Sequence, residues 1–527
     1  MTTAAVAAGR RGRRIPSWAI TAALAVAWLV VNPPTPDLAA HEYRAEIARR
    51  VGFGLWEQGW YAGHHLPGYS VLMPPLAALL SPQAVAAICA VIATWCFDRL
   101  AGAHWPAPAA RAATLWFAIG IVSTLVGGQL AFAAGLAPGL GALLAARRGR
   151  LGAAAALGAA TTLTSPVVAA FLVLAATAWF ITDRARGAIW VGAGAVVPGL
   201  AIAVAFSEGG VQPFSVSSFF WSFAVAVGAA ILLPADEREL RAGAVLYALA
   251  LLAGVVIDTP LGGNLVRLAA VFGGPIAAGA LWDRRMTALA IVALPLLYWQ
   301  WLAPVRSVVR GAGDRSSHLA YHAPLIAELD RRAAAEGPFR TEIPFTANHW
   351  ETRFVAPDHP LARGWERQLD VKLNPLFYGH GALTPGRYRR WLDRLAVRYV
   401  ALPDVELDPS GAAEGRLVRG GTVPGLVPVW RSRHWRLFRV MGAQPIADPP
   451  VRVTRIGVDD VALTTPRPAT STVRVRFSPY WALDGAGCVE RGFGGWTRVR
   501  LDRPGAARLH IRFSPARVGA TGPRCEH

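Results

Sequence analysis

Residues 82–150 read PQAVAAICAVIATWCFDRLAGAHWPAPAARAATLWFAIGIVSTLVGGQLAFAAGLAPGLGALLAARRGR. A helix needs about 20 mostly apolar residues to cross a bilayer. This stretch holds three such runs end to end, near 82–100, 108–126 and 129–146, with Asp98, Arg99, Arg111, Arg147, Arg148 and Arg150 gathered near the breaks. Working outward, one further run precedes it near 16–33. Seven follow, near 150–163, 166–182, 188–206, 217–233, 242–257, 262–281 and 286–303, which makes eleven candidate spans. The fifth, 150–163, is short and reads as a half-helix or part of a hairpin. The first is followed by further spans and lacks a small-residue cleavage site, so it reads as a span and not as a cleaved signal peptide.

The composition divides the chain in the same way. Of 527 residues, 54% are hydrophobic and 16% charged, with a mean hydropathy of +0.35. A soluble domain carries roughly a quarter charged residues, and the deficit lies before Pro304. The predicted organisation is a membrane all-α bundle over 1–304 with an outer loop at 34–81, then an extracytoplasmic α/β domain over 305–447, then a β-sandwich-like domain over 448–527. In the α/β part, 325–335 and 385–397 read as helices and 398–402 as a strand. From about Pro450 apolar and polar residues alternate between Gly, Pro and Asp turns, as in VRVTRIGVDD and TSTVRVRFSPYW, which is a strand pattern. No period indicates a repeat array.

Arginine placement orients the bundle, because positively charged loops stay cytoplasmic. Arg10, Arg11, Arg13 and Arg14 precede the first span. Later clusters fall at alternate loops: Arg99 and Arg111; Arg147, Arg148 and Arg150; Arg184 and Arg186; Arg238 and Arg241; Arg284 and Arg285. The opposite loops before residue 260 hold only Arg44, Arg49 and Arg50, among Asp37, Glu42, Glu46 and Glu57. The expectation is a multi-pass plasma-membrane protein with a cytoplasmic N-terminus and an extracytoplasmic C-terminal half. Lys372 is the single lysine, and with the Ala and Gly content this suggests a GC-rich bacterial genome.

Cysteine usage agrees with that orientation. Cys89 and Cys96 lie in the second span and read as small apolar residues. Cys488 and Cys525 lie in the half assigned to oxidising space, where disulfides persist. They are expected to be bridged, with two free thiols as the alternative. The formal charge of +20 would point a soluble protein towards nucleic acid, and residues 305–527 alone hold 34 basic and 21 acidic residues. Outside a bacterial membrane the available polyanions are lipid headgroups, polyprenyl phosphates and wall polymers, so no nucleic-acid partner is expected. A merely solvated basic face remains the other reading.

The chemistry-bearing residues concentrate in 33–82, PPTPDLAAHEYRAEIARRVGFGLWEQGWYAGHHLPGYSVLMPPLAALLSP. With Glu208 and Asp258, its acids Asp37, Glu42, Glu46 and Glu57 are placed at or near the outer face. Asp37, His41 and Arg44 are spaced for one helical face. Trp56, Trp60, Tyr61 and Tyr69 suit a membrane interface. PGYSVLMPPLAALL is apolar but short, as in a re-entrant or interfacial piece. Arg267, in DTPLGGNLVRLAAVFGGP, lies inside the tenth span, where an ionisable group is costly. Arginine's fork suits phosphate; the alternatives are snorkelling or an ion pair with Asp258 or Glu208. His64 and His65 are adjacent and lack an acid-rich frame, so no metal or other cofactor is evident, a divalent cation being unsupported. His349, Trp350, Glu351, Trp365, Glu366 and Asp370 form a weaker aromatic and acidic cluster, suited to sugar contact or to ordinary domain surface. No P-loop, G-x-S-x-G elbow or CxxC pair is present.

With Asp37 just after the first span, a long outer loop, and Met73-Pro74-Pro75 leading into the second span, the chain resembles the polytopic glycosyltransferases of the GT-C superfamily. GGQLAFAAGLAPGLGALLAARRGR looks like their fourth helix and LTSPVVAAFLVLA like their sixth. The chain lacks a DxD or WWDYG-type motif, and it is also similar to YfhO-like bacterial membrane proteins. The GT-C resemblance implies an inverting transfer of sugar from a polyprenyl-phosphate donor to an envelope glycan, lipid or protein acceptor on the outer face. It implies a carboxylate base, Asp37 first and Glu42 second, with an N-cap as the alternative for Asp37. Arg267, Asn264 and Arg44 would bind the donor phosphate, and His41, Trp60, Tyr61, His64 and Tyr69 the substrate. A transporter and a non-catalytic envelope scaffold are the competing readings; matching halves, usual for transporters, are not visible.

Overall fold

The computed structural model describes residues 15–379 and 381–526. The four arginines at 10–14 lie outside the described residues. The bundle comprises α1 (Ser17–Val31), α2 (Pro36–Val51), a two-residue pair of strands β1 (Trp56–Glu57) and β2 (His64–His65), α3 (Met73–Leu79), α4 (Pro82–His104), α5 (Ala107–Gly120), α6 (Val122–Val126), α7 (Leu130–Arg147), α8 (Leu151–Thr164), α9 (Pro166–Asp183), α10 (Arg186–Ala205), α11 (Val216–Leu232), α12 (Arg238–Val256), α13 (Val266–Leu281) and α14 (Met286–Gly311). Each of the eleven predicted stretches is helical. Among the described residues eight helices are long and apolar enough to cross a membrane, or nine if bent α1–α2 is one span; α8 and α11 are shorter apolar helices. This is a multi-pass membrane protein. Ile291 and Leu294 of α14, and Val197, Leu200 and Val204 of α10, stay exposed, as lipid-facing flanks do.

Local sequence sets the breaks that shape the bundle. Asn32 is left-handed, and Pro33 and Pro34 disfavour helix in the residues before them. The chain therefore turns by 84° between α1 and α2. Short α8 leaves its last carbonyls without helical partners, and the loop reaches in to meet them. Val71 and Leu72 donate their N–H groups to Leu163 O at 2.8 and 2.9 Å, and the Ser70 hydroxyl donates to Thr164 O at 2.8 Å. From there α3 runs with Leu76 and Leu79 exposed, as expected of an interfacial piece.

The loops sort onto two ends. At one, Glu237 accepts from His104 at 2.7 Å and from the Trp105 indole at 2.9 Å; Arg147 pairs with Glu239, and Arg284 with Asp236 at 2.7 Å. At the other, α2, the 206–215 loop and the C-terminal region come together: Val211 N donates to Gln368 O at 3.2 Å, and Lys372 donates to Glu208 O. The loops carrying Arg147 and Arg284 thus lie at one end, and the C-terminal region packs at the other.

The boundary differs from the sequence reading. The last helix does not stop at Pro304. Pro304 and Pro295 lie inside α14, which continues to Gly311. There a Cβ would meet Pro34 O at 2.1 Å, so this close approach needs glycine. Beyond it come α15 (Leu319–Glu336), β3 (Arg340–Glu342), α16 (Glu351–Phe354), α17 (Arg367–Leu373), α18 (Pro385–Arg394), β4 (Val397–Pro403), α19 (Pro409–Arg419), β5 (Leu426–Arg431) and β6 (Trp435–Val440). The sheet order is β3-β4-β6-β5, with β3 and β4 parallel. Helices 325–335 and 385–397 correspond to α15 and α18, and the strand at 398–402 to β4.

Eight strands follow: β7 (Arg452–Ile456), β8 (Asp460–Thr465), β9 (Ala469–Arg476), β10 (Trp481–Asp484), β11 (Gly487–Arg491), β12 (Trp496–Leu501), β13 (Gly505–Ile511) and β14 (Arg524–Glu526). They form two antiparallel four-stranded sheets, β10-β13-β8-β7 and β14-β11-β12-β9, around buried Val461, Leu463, Val473, Trp481, Val499 and Leu509. Cys488 and Cys525 face each other in the β11–β14 register and are disulfide-bonded. The bridge closes a loop of sequence separation 37. Cys488→Ser with Cys525→Ser is expected to destabilise the sandwich by about 3–4 kcal/mol through the regained freedom of the unfolded chain, read as a lower melting temperature in calorimetry.

Candidate functional site

The site is built on α2, whose first turn starts at Pro36, a residue preorganised for that place. Asp37, His41 and Arg44 share the helical face turned into the protein, and His41 and Arg44 are buried. Tyr69 comes over this face from the far side of the loop. Its ring centre is 5.9 Å from that of His41 and 3.9 Å from the Arg44 guanidinium carbon. Gly128, φ 75°, closes the base of α2: a Cβ there would lie 2.3 Å from Thr35 Oγ1 and 3.3 Å from Asp37 Cβ. The Gly127-Gly128 turn between α6 and α7 therefore sits directly against the first turn of α2. Arg267 is the second residue of α13, and its guanidinium carbon lies 5.5 Å from the Phe132 ring centre on α7.

Asp37 is not the N-cap. Thr35 holds that position, with no side-chain capping bond. Among the described residues no hydrogen bond or ion pair of the Asp37 carboxylate is found, and the residue is half-buried. Burial pushes its carboxyl up to about 6, the positive charge of Arg267 opposing that shift. Burial, with Arg44 and Arg267 beside it, pulls His41 down to about 3, so His41 is neutral. Burial pushes Tyr69 up to about 12, opposed chiefly by Arg44. Asp37 and Arg267 thus act on each other electrostatically without an ion pair. Asp258 does not bind Arg267, and Glu208 is taken by His65 at 2.8 Å. A carboxylate raised to about 6, without a hydrogen-bond or ion-pair partner among the described residues and within electrostatic reach of a guanidinium, has the properties of a general base beside an anion site.

A cleft of about 1510 Å³ runs through the bundle between α4, α7, α9, α11, α12, α13 and α14. Pro36 and Leu268, the chain neighbours of Asp37 and Arg267, are in its wall. Its middle is apolar, including Leu140, Phe171, Tyr247 and Phe272. Arg306 and Arg310 of α14, with Asn348, line its domain-bearing end. These two arginines were missed because the last span was ended at 303; their i, i+4 spacing on a helix that continues was the available signal. Asn264 lies in the turn just before α13, half-buried.

Several predicted site residues are placed elsewhere. Trp60 and Tyr61 are fully buried, in the joint between loop and C-terminal region, and not at a substrate wall or a lipid interface. The Tyr61 hydroxyl donates to Gly364 O at 2.5 Å, and Trp60 stacks on Tyr43 at 4.3 Å. Trp56 likewise packs on Trp481. His64 is sealed in the same joint, 2.7 Å from Glu57 Oε1 and 3.8 Å from Glu366 Oε2. Burial works against its protonated form, but the two carboxylates outweigh it and raise the imidazole. Arg44 is ion-paired with Glu366 at 2.5 Å, so its charge is already answered within the protein. Glu42 is shared between Gln83 at 3.3 Å and Arg353 at 3.4 Å, which removes it as a free base. The contacts of Tyr61, His64, Arg44 and Glu42 tie loop, bundle and C-terminal region together. Arg476 adds a further tie by donating to Tyr61 O at 2.8 Å.

In the weaker cluster, Asp370 is buried against Arg363 at 2.6 Å and Glu366 is taken by Arg44. His349 and Glu351 are buried; burial pushes Glu351 up to about 8. Trp350 packs into the core of the bundle. Trp365 and Glu366 keep partial exposure. Among the described residues no group of three or more His, Cys, Asp or Glu side chains is arranged to hold a metal ion.

No protein-family model and no curated protein matches the chain. Among solved structures the chain is similar to arabinofuranosyltransferase AftD from Mycobacteria, with a TM-score of 0.46 and 14% sequence identity over 95% of this chain. The chain spans 60% of the length of that protein's chain.

Proposed function

We propose that the protein is a membrane glycosyltransferase that moves a sugar from a polyprenyl-phosphate donor to a cell-envelope acceptor. The observation that carries this reading is the Asp37 carboxylate, without a hydrogen bond or ion pair among the described residues, within electrostatic reach of the Arg267 guanidinium beside a long apolar cleft. The cleft suits an isoprenoid tail, Arg267 and Asn264 the phosphate, and Asp37 the acceptor hydroxyl. His41 and Tyr69 complete the wall around the sugar. In the step proposed, the acceptor oxygen attacks the anomeric carbon opposite the phosphate, and the acceptor–carbon bond forms. The carbon–phosphate oxygen bond breaks with its electron pair leaving on the phosphate, and the acceptor proton passes to Asp37. Configuration inverts. Arg267 stabilises the charge that grows on the leaving phosphate.

In this reading the domain-bearing end faces away from the cytoplasm of a bacterial plasma membrane, the N-terminus is cytoplasmic, and the acceptor is a glycan or lipid of the envelope. The test is sugar transfer by the purified protein in lipid nanodiscs, given polyprenyl-monophosphate sugars and envelope extract. Labelled product that appears only with protein supports the reading. Donor movement across a sealed vesicle without transfer would favour transport instead.

A base must be ionised to accept a proton. With Asp37 raised to about 6, transfer is expected to be at its plateau above that pH and to fall as pH drops through about 6. A pH–rate profile at saturating donor checks this. A profile flat down to pH 4 would remove Asp37 as the base.

A further inference from the structure

Among the described residues after Gly311, Phe493 and Phe513 are the exposed large aromatic side chains, at 99% and 44% exposure. They lie far apart in sequence, but the register brings them to one end of the sandwich. Trp496 pairs with Arg476, and Arg491 with Thr497, so the β11–β12 tip and the β9–β10 loop share an end. Trp481 pairs with Ile511, which adds the segment after β13. Phe477 N donates to Gly495 O at 2.9 Å and ties the tip to the neighbouring loop. Gly494 and Gly495 are both left-handed, φ 69° and 80°. That tight turn leaves Phe493 standing clear of the fold.

This end is the one that meets the membrane body. The Tyr480 hydroxyl donates to Ala205 O, the last residue of α10, at 2.6 Å. Ser478 bonds His65 at 3.0 Å. The Phe513 ring lies 6.1 Å from that of Phe206, and Phe206 directly follows the exposed flank of α10 formed by Val197, Leu200 and Val204. The apolar strip that α10 shows to lipid therefore continues onto the sandwich through Phe206 and Phe513. Exposed Arg491 stands two residues from Phe493. Aromatic side chains beside a basic one, next to a bilayer surface, match the chemistry of the lipid interface.

We propose that this end of the β-sandwich docks on the bilayer, with Phe493 and Phe513 entering the boundary between headgroups and acyl chains and Arg491 meeting anionic phospholipid headgroups. The C-terminal region is then held by lipid as well as by its contacts with α10 and the 34–81 loop. The docking keeps its orientation on the membrane body fixed.

The test uses the full chain with Cys89→Ala and Cys96→Ala, since Cys488 and Cys525 are bridged. A nitroxide is attached through Phe493→Cys, and in a second sample through Arg503→Cys, at the opposite end of the sandwich. Both proteins are placed in nanodiscs of phosphatidylethanolamine and phosphatidylglycerol. Power saturation is expected to show the 493 label more accessible to oxygen than to a water-soluble nickel chelate, and the 503 label the reverse. That preference at 493 should be lost when the nanodisc is exchanged for a short-chain detergent micelle. A 493 label as open to the nickel chelate as the 503 label overturns the proposal. So does a 493 label that stays aqueous and is shielded by added oligosaccharide, which would assign the tip to sugar. Both positions are exposed, so neither label disturbs packing.

Discussion

Asp37→Asn is expected to leave the protein folded and to lower sugar transfer by about 10²- to 10⁴-fold, the range that a positioned acid–base group contributes. The substitution keeps the shape of the side chain and removes its charge. Asp37 has no hydrogen bond or ion pair to lose among the described residues, and burial already disfavours its ionised form. Stability is therefore expected to stay within about 0.5 kcal/mol of the parent, as for changes that touch no paired group. Two measurements on the same preparation separate the possibilities: a melting temperature and a transfer rate at saturating donor. An unchanged melting temperature with lost transfer assigns the proton to Asp37. Unchanged transfer removes it from the mechanism. Glu42→Gln is the internal comparison. Its carboxylate holds Gln83 and Arg353, so it is expected to lower stability more than turnover.

Arg267→Gln is expected to lower transfer by about 10²- to 10³-fold, the loss typical of removing one group that stabilises developing charge. A second consequence distinguishes it from simple misfolding. Arg267 is the charge that holds Asp37 down against burial. Without it, the Asp37 carboxyl titrates higher, and the acid limb of the residual activity moves to higher pH. Arg267→Lys keeps the charge and loses the planar fork. It is expected to leave the limb in place while still slowing transfer. A limb that fails to move in Arg267→Gln would show that the two residues do not share a site.

The membrane body was legible because burial in lipid leaves a strong one-dimensional signal. The eleven apolar stretches, the short α8, the piece around α3 and the alternation of arginines all follow from length and charge along the chain. The face of α2 was legible for the same reason, since Asp37, His41 and Arg44 are related by the helical period alone. The roles of Trp60, Tyr61 and His64 were not. An aromatic in a loop beside a membrane has the same sequence appearance whether it meets lipid, substrate or another domain. Only the return of residues 361–366 against Gly59 and Tyr61, from about 300 positions further along the chain, decides the matter. Glu42 and Arg44 illustrate the same limit: their partners Arg353 and Glu366 lie 311 and 322 positions further along the chain, and nothing local announces them. The end of α14 was misplaced because proline usually stops a helix. In this bundle Pro304 packs against Gly127 at the break between α6 and α7, and tertiary contact carries the helix through.

The most direct measurement is a structure of the protein in nanodiscs with a phosphonate analogue of a polyprenyl-phosphate sugar, in which the scissile oxygen is replaced and transfer cannot occur. The expected result places the phosphonate within hydrogen-bonding distance of Arg267, the sugar against Asp37, and the isoprenoid tail in the cleft between α7, α9, α12 and α14. A bound analogue whose headgroup lies away from both Asp37 and Arg267, or a cleft still empty at saturating analogue, would contradict the proposed site.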